Sequence, residues 1–273
     1  MEKNLEQSNL TSENNFEREK GENINLVISF IRHGDKDSKG ELTERGYESA
    51  RELGKHKEVL PDGIKIYNSP FRRTASTVDA ILDGVEEQGK KDKTFKTRQR
   101  IELAPPEWEH FEIIAKKGKE AEEKEGRGGL FRYISHEPLA QKDLNHWTSA
   151  LAFMIDRYRR GSHRFYEGSE VELRHITHDV VIGDFLRKVA VFKDKEGKRI
   201  EKVDFDKLGG SMNFLEGFEF VVRLDEKGNE FHKINFRGQE LEVDEEKLNE
   251  LVKLFKENPY EGRTTKVYPL SRQ

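Results

Sequence analysis

The sequence contains no cysteine. That excludes a disulfide framework, thiolate metal sites, iron–sulfur clusters and a cysteine nucleophile. It also has no apolar run approaching the roughly 18 residues that a membrane-spanning helix needs. An excess of positive charge is missing as well: Lys+Arg 49 against Asp+Glu 53 leaves a net charge of −4. No global field exists to hold nucleic acid or an anionic membrane, so any anion site has to be local. Apolar residues make up only 33 % of the 273, yet Phe alone occurs 17 times. That supply builds one core under a heavily charged surface. Residues 1–23 are polar and lack the continuous apolar stretch of a signal peptide. They read as a disordered tail, and the expectation is a cytoplasmic protein.

Ordered structure is expected from Ile24. Residues 24–31 (INLVISFI) form a nearly continuous apolar run, as in a buried parallel strand. A helix follows Thr43, with Tyr47, Ala50 and Leu53 on one face, and a second strand covers Ile64–Asn68. Ser69 reads as an N-cap and Pro70 as a first-turn proline of the next helix. Residues 86–96 are charged and read as a loop, while 107–160 reads as mostly helical, broken at the charged, glycine-containing run 116–129. A third strand, Val171–Thr177, leads into a helix carrying Val181, Phe185 and Val189. Further on, strands at Phe218–Leu224 and Phe231–Phe236 flank a turn-forming segment, and Asp244 caps a last helix. Strands alternating with helices predict an α/β fold: a three-layer α/β/α sandwich with a mostly parallel central sheet and an inserted helical cap. The expected organisation is one domain over 24–273, with the cap at 107–168 and an extension at 193–273.

In such a sheet, ligands bind at the carboxyl ends of the strands. Three strands here end in Arg32-His33-Gly34, Asn68-Ser69 and Thr177-His178-Asp179. Arginine offers a planar fork of donors to a phosphate, and imidazole serves as nucleophile or base. Arg72 falls in the first turn of its helix, where a cation opposes the helix dipole, a placement that points to an anion nearby. His175 and His178 form an HxxH pair, but alternation puts His175 on a strand face and His178 beyond the strand's end, which disfavours a shared metal. Residues 157–164 (RYRRGSHR) make a basic cluster at a helix end, suited to solvent or to an extra phosphate.

In this order, the segments resemble the histidine phosphatase superfamily, the phosphoglycerate mutase-like fold. Arg32-His33-Gly34 is followed by residues 42–50 (LTERGYESA), similar to the family's "LT..G...A". Ser69-Pro70-Phe71-Arg72-Arg73-Thr74 is similar to "SP..R..T", and Thr177-His178-Asp179 supplies the second histidine. The resemblance, which runs from about Asn25 to Leu186, implies that His33 takes the phosphoryl group as a phosphohistidine. It implies that Arg32, Arg72 and His178 surround the phosphoryl oxygens, and that neither a metal nor another cofactor is needed. For the proton donor to the leaving group, residues 100–108 (RIELAPPEW) favour Glu102, with Glu107 and Asp179 as alternatives. Mutase-type members carry an Asn- and Trp-containing segment after the first motif. Here that interval is only residues 35–41 (DKDSKGE), which points to water as acceptor and so to a phosphomonoester hydrolase. The remaining alternatives are mutase-type transfer and a silent phosphate-binding module. The expected partner is a small phosphorylated substrate or a phosphoprotein, with no nucleic acid and no membrane.

Overall fold

The computed structural model describes residues 21–56, 60–105, 111–126, 128–200 and 209–259. Glu107, Trp108 and most of the N-terminal tail lie outside them. The described chain begins with β1 (Asn25–Arg32), α1 (Glu44–His56), β2 (Ile64–Asn68), α2 (Arg72–Glu87) and β3 (Thr94–Gln99). Helices α3 (Phe111–Glu125), α4 (Gly129–His136) and α5 (Pro138–Ser162) fill the interval before β4 (Glu170–Thr177) and α6 (Asp179–Val189). The chain continues through β5 (Ala190–Val191), β6 (Gly217–Leu224), β7 (Glu230–Phe236), β8 (Gln239–Val243) and α7 (Glu245–Glu257).

The strands form one eight-stranded sheet in the order β3-β2-β4-β1-β6-β7-β8-β5. Pairing is parallel from β3 to β1 and antiparallel from β1 to β5. Consequently only β6 and β8 oppose the common strand direction, and the sheet is mostly parallel. Alternation along β1 explains the layers. Leu26, Ile28 and Phe30 join a core with Leu151, Ile155 of α5, Phe185 of α6 and Leu248, Val252 of α7. Ile31 faces the other way, with Ile64, Ile66 and Ile176, onto Val78, Ile81 and Val85 of α2. On that second face β1 and β4 are also tied by a fully buried polar group: Ser29 donates to Glu172, which pairs with Arg174.

The helical insertion has two halves. Ile114, Ile134, Ala140 and Leu144 make a small core of their own, whereas Trp147, Leu151 and Ile155, further along α5, belong to the main core. Helix α3 continues to Glu125, through the charged run read as a break; the interruption falls at Gly126, which has positive φ. Three strands are not legible as strands in the sequence: β3, β8 and the two-residue β5. β3 lies in and beyond the segment read as a loop, and β8 follows a turn at Arg237-Gly238 in which both residues have positive φ. The capping expectation also needs correcting. Phe71 is the N-cap residue of α2, and the Ser69 hydroxyl is engaged elsewhere, as described next. Helix α1 follows Thr43, as expected, and Gly46 N donates to the Thr43 hydroxyl at 2.9 Å.

Candidate active site

The parallel half of the sheet brings its strand ends abreast. Arg32 lies opposite Thr177, and His33 N donates to Thr177 O at 3.0 Å. On the other side of β4, Ser69 N donates to Ile176 O at 3.1 Å. His33, Ser69 and His178 therefore leave adjacent strands side by side. Gly34 N donates to the Thr77 hydroxyl at 3.0 Å, which fastens the loop after β1 to the start of α2. Gly46 lets α1 close against the same loop, since a Cβ there would lie 2.3 Å from Asp35 O.

The two imidazoles face each other with ring centroids 5.3 Å apart, and both are nearly buried, at 3 % exposure for His33 and 5 % for His178. Hydrogen bonds define their tautomers. His33 Nδ1 bonds to its neighbour's carbonyl, Gly34 O, at 2.8 Å, so that nitrogen carries the proton. Nε2 keeps its lone pair and accepts from Arg73 Nε at 3.0 Å. Burial, then the charge of Arg73, lowers the His33 pKa to about 3. The ring is thus neutral at physiological pH, with Nε2 free of a proton. His178 is ordered the opposite way round: Nδ1 accepts from Arg73 Nη2 at 3.2 Å, and Nε2 donates to Ser69 Oγ at 3.2 Å. The Ser69 hydroxyl donates to Thr74 Oγ1 at 3.0 Å, and Thr74 donates to Phe71 O at 2.7 Å. Burial first, then Arg73 and His33, holds the His178 pKa well below its ordinary value.

Arg32 lies across the pocket floor. It donates to Met212 O at 2.6 Å, pairs with Asp179 at 3.2 Å and stacks over Phe214 at 4.2 Å. Phe71 and Trp147 stand against His178, with ring centroids at 5.2 and 5.6 Å, and complete an aromatic wall with Phe214. Lys36 is exposed at the mouth, close enough for its charge to act on both histidines.

Of the residues singled out from the sequence, the structure brings together Arg32, His33 and His178. It does not bring Arg72 to them. That side chain is 66 % exposed and pairs with Glu41 at 3.4 Å, one helical position away from the pocket. Arg73 occupies the place instead, joined to both imidazoles. The signal was present: "SP..R" leaves two residues between proline and arginine, and counting from Ser69-Pro70 over Phe71 and Arg72 reaches Arg73. Met212 and Phe214 lie in the C-terminal region, where the sequence offered no recognisable chemistry.

Glu102 sits in a 3-10 turn, Ile101–Leu103, at the carboxyl end of β3. Thr177 Oγ1 donates to Leu103 O at 2.9 Å, which docks that turn beside the residue preceding His178. No hydrogen bond or ion pair engages the Glu102 carboxylate among the described residues. Asp179, by contrast, is committed to Arg32 through one oxygen and to Val180 N through the other. His175 lies apart from the pocket chemistry: both ring nitrogens are bonded, to Ser29 O at 3.0 Å and to the Tyr158 hydroxyl at 3.1 Å. In the basic cluster, Arg159 is held by Glu230 and Glu245, and Arg160 by Asp156.

Residues 28–141 match the family model of the histidine phosphatase superfamily (branch 1). That segment is similar to the histidine phosphatase superfamily. The matched segment holds Arg32, His33 and Arg73; the fold adds His178 from beyond it. Solved structures that match the chain include a mycobacterial glucosyl-3-phosphoglycerate phosphatase (14 % identity, 78 % of this chain and 97 % of that one, TM-score 0.45). They also include a phosphoserine phosphatase of Entamoeba histolytica (13 % identity, 81 % and 95 % covered, TM-score 0.38). A Klebsiella phytase is a third (12 % identity, 88 % and 86 % covered, TM-score 0.38). No curated protein matches the sequence. No described helix is long and apolar enough to cross a membrane.

Proposed function

We propose that this chain is a phosphomonoester hydrolase of the histidine phosphatase type, acting without a metal through a phosphohistidine at His33. The observation that carries the proposal is the His33 tautomer: Nδ1 tied to Gly34 O, Nε2 unprotonated, and that lone pair set between the guanidiniums and His178. Phosphoryl transfer depends on positioning and on neutralising the charge spread over the equatorial oxygens. Arg32 and Arg73 supply two fixed cations for those oxygens. Burial and, after it, the charge of Arg73 keep His178 neutral, and an arriving phosphate dianion offsets that charge. A second proton on His178 then goes to Nδ1, because Nε2–H already bonds Ser69.

In the first step the Nε2 lone pair of His33 forms a bond to phosphorus. The P–O bond to the leaving group breaks, and a carboxyl group gives its proton to the departing oxygen. In the second step water attacks phosphorus, the same carboxylate accepts the water's proton, and the N–P bond breaks to release inorganic phosphate. We assign the carboxyl role to Glu102. Its turn is docked at the pocket end of β4 and its carboxylate is uncommitted among the described residues, whereas Asp179 is held by Arg32. Glu107 is outside the described residues.

The test is turnover of phosphate monoesters with graded leaving groups in the presence of a chelator. Hydrolysis of para-nitrophenyl phosphate should persist with the metal chelated, and vanadate should inhibit it. General acid catalysis contributes about 10²-fold or more, and a nitrophenolate leaves with little help from an acid. Glu102→Gln is therefore expected to slow alkyl phosphates about 10²-fold and the nitrophenyl ester far less. Wild-type activity that vanishes with chelation would overturn the metal-independent reading. Equal loss on both ester classes would remove Glu102 from the role.

A further inference from the structure

β3 is the outermost strand of the sheet, bonded on one side to β2 and to no described strand on the other. Its sequence, Thr94-Phe95-Lys96-Thr97-Arg98-Gln99, places Lys96 and Arg98 exposed on that edge, and Phe95 is 50 % exposed. Lys65 of β2 is the register partner of Phe95, and Arg98 that of Tyr67. Arg100 follows the strand directly, with its guanidinium over the Tyr67 ring at 5.2 Å. Two cations thus lie on the edge strand and two more, Lys65 and Arg100, beside it, in a chain of net charge −4. Among the described residues no carboxylate lies within ion-pair distance of Lys65, Lys96, Arg98 or Arg100. The half-buried cations of α1 are treated differently: Arg51 and Lys55 are both bridged to Glu87 of α2.

The crowding has a cost. The Lys65 pKa is depressed, first by burial and then by the charges of Arg98, Lys96 and Arg100. A lysine on an edge strand ordinarily serves to repel unwanted pairing, and one such charge suffices for that. A like-charged row that reaches inward to β2 and weakens its own lysine goes further. It is suited to an anionic partner that relieves the repulsion.

We propose that the outer edge of β3 docks an extended acidic segment of a protein partner. The segment adds as a further strand beside Thr94–Gln99, sets its carboxylates against Lys96 and Arg98, and packs an apolar side chain on Phe95. Main-chain hydrogen bonds to an open edge provide affinity, and alternate side chains provide specificity. A backbone ligand also explains the combination of an exposed aromatic ring with the cations. A polynucleotide would use the charges but not the row of backbone N–H and C=O groups that no described strand pairs. The edge leads towards the pocket, since Arg100 N donates to Asn68 O beside Ser69. Docking itself does not depend on the catalytic reading.

The experiment titrates the full-length protein against a short fluorescent peptide that alternates glutamate and valine and carries one phenylalanine. Saturable binding is expected, with new amide hydrogen-exchange protection confined to residues 94–99. Lys96→Glu/Arg98→Glu should weaken binding at least about tenfold, the neutral pair Lys96→Gln/Arg98→Gln by an intermediate amount. Both variants should keep wild-type turnover of para-nitrophenyl phosphate, which shows that they are folded and reports separately on the active site. The proposal is overturned if the peptide does not bind, or if binding survives charge reversal. Binding that leaves the amides of 94–99 unprotected, or an oligothymidylate that outcompetes the peptide for Lys96 and Arg98, would also overturn it.

Discussion

Arg73→Ala is expected to lower kcat/KM for an aryl phosphate by about 10³-fold, while Arg72→Ala remains within about twofold; removing one donor aimed at transition-state charge typically costs 10²–10³. The contrast between adjacent residues follows from the first turn of α2. Arg73 Nε meets His33 and Arg73 Nη2 meets His178, so one planar guanidinium sets the separation of the two imidazoles and faces the same pocket as Arg32. Arg72 projects to solvent and pairs with Glu41, an exposed interaction of small energetic consequence. Losing Arg73 also removes the largest charge, after burial, that opposes protonation of either ring. The pKa values of both histidines should therefore rise in the alanine variant, and its activity should fall off at higher pH on the acid side than in wild type. Arg73→Lys restores one positive charge but not the two-pronged geometry, and is expected to recover only part of the loss. Steady-state kinetics on the three variants settles the matter. Equal losses for Arg72→Ala and Arg73→Ala would contradict the arrangement described.

The second large effect concerns stability in acid. His33 and His175 are both held at about 3, chiefly by burial, against roughly 6.5 in an unfolded chain. Below pH 6.5 the unfolded state binds protons that the folded state refuses, so stability falls as pH drops. Between pH 6.5 and 4.5 each of the two should remove about 2 kcal/mol, and His178, lowered in the same direction, adds to the loss. His232 works the other way. Glu230 and Glu245 raise its pKa to about 9, so its contribution is fully present below pH 6.5 and fades only as pH climbs towards 9. Denaturant unfolding at pH 6.5, 5.5 and 4.5 should accordingly show a fall of several kcal/mol. The fall should shrink when His175→Gln removes one titrating ring while keeping groups able to bond Ser29 O and Tyr158. A stability that is flat over this range would mean that these histidines are not buried as described.

How much of this was legible in the sequence can be traced residue by residue. The apolar runs of β1 and β4 and the residues that follow them located the pocket, because buried parallel strands are nearly continuous in hydrophobicity and chemistry collects at their ends. Arg72 was misjudged on a dipole argument that applies equally to its neighbour. Which of two adjacent arginines turns inward depends on the helix start, and that start is Phe71 rather than Ser69. Ser69 looked like a cap because serine before proline usually is one; its hydroxyl is instead spent on His178 and Thr74. β3 and β8 were hidden for a physical reason. Both are short and largely exposed, so neither shows the apolar alternation that marks a half-buried strand. Helix α3 was obscured by its charge, although a run of Lys, Glu and Ala is good helix-forming material. Nothing local could have announced Met212 and Phe214, whose place beneath Arg32 exists only once β6 has paired with β1.

The central claim is that His33 Nε2 takes the phosphoryl group. The most direct measurement is to quench turnover of a labelled phosphate monoester in base, digest the protein and locate the label. The account predicts an acid-labile, base-stable phosphoramidate on the peptide that contains His33, absent from His33→Ala and accumulating when hydrolysis of the intermediate is slowed. An acid-stable adduct, or label retained by His33→Ala at the wild-type level, would contradict it.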